Sequence, residues 1–372
     1  MELTPEILNE KRINIKPFMA KNKRYRGFLG RSRWSLCVGA GISSGIVPTW
    51  FDLTYLAYKE CFKKVISKIE FSKMVEQSGW SLDSWLQHSL NHMLLQDKSE
   101  KDFADILKNI LYKDIIARAK KRNLKDDLIL AFNDPFRLHH EKVVALCNFF
   151  EEEYPNNSTL QLINFLLKTI KANKVPNAII SFNADTIFDT FLYLYSCKQT
   201  IETTGKKSFI RRKFSRILRT VENNQNDLIP IFHLHGCLFP NEGVDGYKKK
   251  SSSVSKLIFD ENSYIKVAGN MYNWAQTTFL YHAQFDQLIF VGLSMSDSNI
   301  RKWLSWTTEN HNNELKETRR KDIIHLNHLW ICQSNTSEVD LKKDSLIHLG
   351  TRIAWINNWN ELEKGLNNIL AI

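Results

Sequence analysis

The sequence predicts an α/β protein: a Rossmann-like, mostly parallel sheet of about six strands with a helical insertion. Three observations predict it. Short apolar runs alternate with segments of helical periodicity, four of the runs end in clusters of small and polar residues, and one long stretch carries helical patterning without a strand.

The first run, Trp34–Val38, precedes the glycine-containing turn GAGISSG. The second, 178–182, precedes Asn183-Ala184-Asp185, and the third, 229–234, leads into HGCL. The fourth, Gln287–Val291, precedes GLSMSDSN, while 328–332 and 352–356 complete the six. Between them, 158–172 places Leu160, Ile163, Leu166, Leu167 and Ile170 on one helical stripe. Residues 297–308 begin with Asp297, suited to a helix N-cap, and 360–370 close the chain with another amphipathic pattern.

Residues 62–150 read as a helical insert, with helices over 82–95, 102–117 and 140–150. The expected organisation is a basic N-terminal extension over 1–33 and a core over 34–311 containing that insert. Residues 312–372 supply C-terminal strands and a helix completing the same domain. The polar stretch 240–257 reads as a surface loop.

Composition narrows the function classes. The 372 residues are 43% hydrophobic and 24% charged, ordinary for a globular protein, and eight prolines with fourteen glycines argue against long disordered linkers. The six cysteines form no CxxC pair, so no structural zinc and reduced, buried thiols are expected. No signal-peptide core and no membrane-spanning apolar run occur, so a soluble, cytoplasmic protein without a membrane partner is expected. The net charge of +11 gathers in 11–33, 206–219 and 248–250. A solvated surface and attraction to polyanions such as nucleic acid both account for it, and no nucleic-acid motif accompanies it.

In open parallel sheets, ligands bind outside the carboxyl ends of the strands, so the four clusters can line one crevice. Gly39-Ala40-Gly41 permits a tight turn whose amides approach phosphate, although Ser44 breaks the GxGxxG pattern, and a structural turn is the competing reading. Asn183 and Asp185 share a face if the strand geometry persists, and suit a ribose and a carboxamide. The alternative is an Asx turn with a helix cap. Of His233 and His235, the first reads as a half-buried structural histidine. The second, beside Gly236 at the strand end, reads as a candidate general base. Gly292, Ser294, Asp297 and Asn299 offer small and hydrogen-bonding groups to a cofactor, and turn chemistry alone also explains each of them. Arg301 reads as a surface or packing residue.

Taken together and in this order, GAGIS, SFNAD, LHG and FVGLSMSDSNIR resemble the SIR2-like family, the bacterial branch related to sirtuin deacylases. Pro48 and Trp50 resemble the segment that follows the family's GAG turn. The resemblance implies that Gly39, Ala40, Gly41 and Ser43 cradle the phosphates of NAD, with Pro48 and Trp50 close by. It also implies that Asn183 and Asp185 hold the nicotinamide ribose and its pocket, that His235 is the catalytic histidine, and that Gly292 and Ser294 serve the adenosine side. Phe182 and Ala184 depart from the sirtuin pattern at the second motif. The two CxxC pairs of sirtuins are absent, which argues against deacylation.

SIR2-like proteins without that module resemble NAD glycohydrolases of anti-phage defence. The resemblance thus implies cleavage of the nicotinamide–ribose bond, with NAD as substrate, to nicotinamide and ADP-ribose or its cyclic form. It further implies a homo-oligomer, or a separate partner such as a HerA-type ATPase or an Argonaute-type protein. The alternatives are an NAD- or ADP-ribose-binding regulatory subunit of a nucleic-acid-processing complex, and a protein ADP-ribosyltransferase or deacylase.

Overall fold

The computed structural model describes residues 18–19, 33–204, 213–218, 228–240, 258, 261–269, 273–318, 326–334, 342 and 344–372. Eight strands form one sheet: β1 (Phe18–Met19), β2 (Trp34–Val38), β3 (Ile179–Ser181), β4 (Phe214–Ile217), β5 (Ile229–His233), β6 (Gln287–Val291), β7 (His328–Gln333) and β8 (Thr351–Ile356). Their spatial order is β1-β8-β7-β6-β2-β3-β5-β4, and every pairing is parallel.

Twelve α-helices accompany the strands among the described residues. Seven precede β3: α1 (Trp50–Phe62), α2 (Lys68–Ser78), α3 (Leu82–Leu94), α4 (Glu100–Lys121), α5 (Lys125–Asn133), α6 (His140–Glu153) and α7 (Ser158–Lys171). The others are α8 (Ile187–Thr204), α9 (Glu261–Gly269), α10 (Trp274–Phe285), α11 (Ser298–Glu317) and α12 (Leu362–Leu370).

A parallel sheet covered on both faces needs strands that are apolar on both sides. β2 is buried along its whole length, and its residues alternate between two cores. Leu36 and Val38 join Ile179, Ile289 and Val291 under α7, α8 and the inserted helices. Cys37 joins Ile180, Leu288 and Phe290 under α10 and α11. Helices therefore cover both faces, as in a doubly wound fold.

The six strands legible in the sequence are all present, and two short edge strands extend the sheet. Two residues are too few for β1 to show any periodicity. In β4 the alternation is masked by Arg216, which is half-buried: its guanidinium pairs with the buried Asp189 carboxylate of α8 and donates to Thr190 Oγ1 at 3.0 Å. Residues 62–150 hold no strand. Their helices begin and end where caps dictate, as in the reciprocal Ser67–Glu70 and Ser99–Asp102 boxes that open α2 and α4. The loop expected over 240–257 and most of the basic clusters lie outside the described residues. Among those described, no helix is long and apolar enough to cross a membrane.

The amino ends of the central strands are held by one carboxylate. Asp286, 4% exposed and immediately before β6, accepts hydrogen bonds from Ser35 Oγ of β2 (2.6 Å) and Asn177 Nδ2 ahead of β3 (2.8 Å). His282 Nδ1 of α10 lies 2.6 Å away and Arg33 Nε 3.3 Å away. Burial opposes the charge, but the bonds from His282, Ser35 and Asn177 prevail and hold the carboxyl below its usual range. Asp286→Ala leaves buried donors unmatched, so it is expected to lower stability by about 3–5 kcal/mol, read as a shift in the urea midpoint. An unchanged midpoint would show that these strands are held by packing alone.

Candidate functional site

The four motif-bearing strands are neighbours in the sheet, in the order β6-β2-β3-β5, with their carboxyl ends at the same edge. A cleft of about 1090 Å³ opens there. It spans the point where the chain leaves β2 in one direction and returns on its other side at β6, the position where open α/β sheets bind ligands.

The floor of the cleft is made by two interlocked turns. Gly39 N–H donates to Val291 O at 3.0 Å, and Gly41 N–H donates to Gly292 O at 2.9 Å. A Cβ on Gly39 would lie 2.6 Å from the Leu293 side chain, and one on Gly41 would lie 2.8 Å from Gly292 O. Gly292 has φ +70°, and a Cβ there would lie 2.6 Å from Ile42 N. These glycines are required by close backbone approach and, at Gly292, by the left-handed conformation.

Two expectations are corrected here. The Gly39 and Gly41 amides were expected to face phosphate, but both are engaged by main-chain carbonyls. Ser43 was expected to contact the cofactor, yet it is fully buried behind the turn, and its Oγ donates to Asp185 Oδ1 at 3.3 Å. Gly39, Ala40 and Gly41 do line the cleft, with Ala40 and Gly41 exposed. Thr159 of α7 secures the turn from behind by donating to Ile42 O at 2.7 Å.

Asp185 lines the cleft from the loop after β3. Its Oδ1 also accepts from Ile187 N–H at 3.0 Å, so it caps α8 as well as facing the cavity. Burial pushes the carboxyl up to about 6, against the pull of the Ile187 hydrogen bond and with help from nearby Asp189. Asn183 does not line the cleft. It is 1% exposed, between the lining residues Phe182 and Ala184, and neither side-chain amide atom has a hydrogen-bond partner among the described residues.

His235 lines the cleft with its ring edge-on to Phe182, 5.1 Å between centroids. Its Nε2 lies 3.8 Å from Asp297 Oδ2. Burial lowers the imidazole below its ordinary value, and the Asp297 carboxylate offsets this only in part. Asp297 also caps α11, where its Oδ1 accepts from Asn299 and Ile300 N–H at 2.8 and 3.2 Å.

His233, two residues earlier, points into a different environment. Burial opposes its charge, but Cys237 and Asp189, the latter with Oδ2 3.6 Å from Nε2, outweigh burial and raise the imidazole to about 10. It belongs to the Asp189–Arg216 cluster, and it is fully buried where the sequence suggested a half-buried structural histidine.

Pro48, Trp50, Gly292, Ser294 and Asn299 also line the cleft. Ser294 Oγ lies 2.6 Å from Ser296 Oγ. Arg301 donates to Met295 O at 3.3 Å, a packing role. Sequence reasoning missed the wall contributed by the insert, where Ser81, Leu82, Asp83 and Leu111 face the cavity, and the one from Glu261 and Ile265 of α9. It also missed the extension past β7 and β8, where Trp330, Trp355 and Trp359 lie. No local pattern marks these residues, because the fold alone brings them to the cleft. Among the described residues no group of three His, Cys, Asp or Glu side chains could hold a metal ion.

Fold and cleft together define a doubly wound α/β protein with a cleft at the switch point. Residues 177–347 match the family model of the SIR2-like domain, a family whose members are NAD-dependent enzymes. The matched range contains the second, third and fourth motifs. The GAG turn lies ahead of it and is joined to it by the contact with Gly292. No curated protein sequence matches the chain.

The interlock gives a direct test. Gly292→Ala forces a Cβ against Ile42 N from a left-handed backbone, so it is expected to lower stability by about 2 kcal/mol or more, measured by thermal or urea unfolding. An unperturbed variant would show that the two turns can separate without cost.

Proposed function

We propose that the protein is an NAD glycohydrolase that breaks the nicotinamide–ribose bond. One observation carries the reading: a buried carboxylate, Asp185, and a buried imidazole, His235, project into one cleft from the loops after neighbouring strands, above the interlocked glycine turns. The residues fit this substrate. Gly39, Ala40, Gly41, Pro48 and Trp50 line the same cleft, whereas Asn183 does not.

The chemistry asks little of a general acid, because nicotinamide departs as a neutral base from a cationic ring. The demand falls on positive charge developing at ribose C1′. The ionised Asp185 stabilises that charge in a desolvated setting, where a fixed carboxylate acts more strongly than in water. His235, neutral at physiological pH, orients a water or a ribose hydroxyl toward C1′ and takes its proton as the new C–O bond forms. Water yields ADP-ribose, and an internal nucleophile yields the cyclic form.

We extend the proposal to biological use: cytoplasmic depletion of NAD as an anti-phage effector, gated by homo-oligomer formation or by a separate partner protein. The ordered resemblance of four motifs and the absence of sirtuin-type CxxC pairs support this. An ungated enzyme of this kind would consume its host's NAD.

The deciding experiment is nicotinamide release from NAD by the wild type and His235→Ala. The variant is expected to lose about 10²- to 10⁴-fold in rate with NAD binding retained. Binding without release in the wild type, alone and with a protein encoded beside it, would favour a regulatory NAD-binding module instead.

A pH profile adds an independent check. Asp185 and His235 must both be unprotonated, so kcat should be full at neutral pH and fall as the pH drops through about 6. A profile flat from pH 5 to 8 would remove both residues from the mechanism.

A further inference from the structure

We infer that Tyr112 is a positioning residue through which the helical insertion sets the geometry of both loops carrying Asp185 and His235. The activity readout rests on the NAD-cleaving function proposed above, but the structural claim stands on the hydrogen bonds alone.

Tyr112 lies in the middle of α4, is 1% exposed, and packs its ring against Phe132 of α5 at a centroid distance of 5.0 Å. Its hydroxyl accepts from Thr186 N–H at 2.9 Å and donates to Leu238 O at 2.6 Å, with Thr186 Oγ1 at 3.2 Å. Thr186 directly follows Asp185, and Leu238 stands three residues after His235. Leu238 N–H in turn donates to Ala184 O at 2.7 Å. One hydroxyl from the insertion thus closes a ring that includes the loop after β3 and the loop after β5. Burial raises the phenol well above its ordinary value, so the hydroxyl keeps its proton and its role as donor.

The contact is more than packing. A ring without the hydroxyl would fill the same volume and leave Thr186 N–H and Leu238 O without this buried partner. The preceding residue, Leu111, lines the cleft itself. A displacement of α4 therefore reaches Asp185 and His235 together, and a ligand or partner that moves the insertion changes both at once.

Tyr112→Phe in the full-length protein isolates the hydroxyl. Hydrogen–deuterium exchange in peptides spanning 183–187 and 234–238 is expected to accelerate about tenfold. Nicotinamide release should lose about ten- to a hundredfold in kcat, with KM changed by less than about threefold. Phe103→Leu, nine residues earlier in the same helix, weakens packing but leaves the hydroxyl in place. It should leave exchange in both loops unchanged.

Unchanged exchange in Tyr112→Phe, or equal acceleration in Phe103→Leu, would overturn the inference. Accelerated exchange with no nicotinamide release from the wild type, alone and with a protein encoded beside it, would uphold the clamp and overturn the enzymatic reading. Native-state exchange of the wild type in rising urea needs no variant: the Thr186 amide should open together with α4. Opening of Thr186 while α4 stays protected would refute the coupling.

Discussion

The cleft depends on one backbone contact, the seating of the Gly39–Gly41 turn against Gly292. Two parallel strands that leave a sheet in opposite directions part at their carboxyl ends, and side chains there would hold the turns apart. Three positions without a Cβ let main chain meet main chain across the gap. The Gly39 and Gly41 amides, which a phosphate-binding loop would offer its ligand, are engaged here by the protein itself. What the turn provides is a floor at fixed depth, with Ala40 and Gly41 exposed upon it.

The chemistry of the site follows from where each charge is placed. His233 and His235 are two residues apart, yet one is held as a cation beside Asp189 and Cys237 and the other is kept neutral by burial beside Asp297. Asp185 and Asp189 are four residues apart, the first ahead of α8 and the second in its first turn. Asp189 finds the Arg216 guanidinium and is held below the usual carboxylate range, although burial opposes it. Asp185 is bonded by a hydroxyl and an amide, both neutral donors, and its carboxyl is raised. His233 and Asp189 are locked into an ion cluster with Arg216, whereas Asp185 and His235 face the cleft.

The sheet was largely legible because its strands are apolar runs that end in turn chemistry, and a fully buried parallel strand has no other way to read. The clustering of four motifs at one edge was legible for the same reason: parallel pairing puts all carboxyl ends on one side. What sequence could not reveal depends on three-dimensional register. Ser43 and Asn183 carry the right chemistry one step away from the cavity, because the turn and the loop rotate them inward. β4 was hidden by an arginine whose partner lies on a helix outside the strand. The insert was visible as helices, but the approach of Tyr112 to the loop at Thr186 joins residues far apart in the chain, and no periodicity encodes it.

The interlocked turns also set an order of events for a chain that grows from its amino end. The GAG turn is made early, but the carbonyls that receive its amides belong to residues 291 and 292. The seven helices of the first crossover and everything through β6 must leave the ribosome before the floor of the cleft can exist. A product that stops short of β6 therefore lacks the floor of the cleft. The connectivity of the sheet is thus a delay: the floor of the cleft is complete only once residues 291 and 292 have been made.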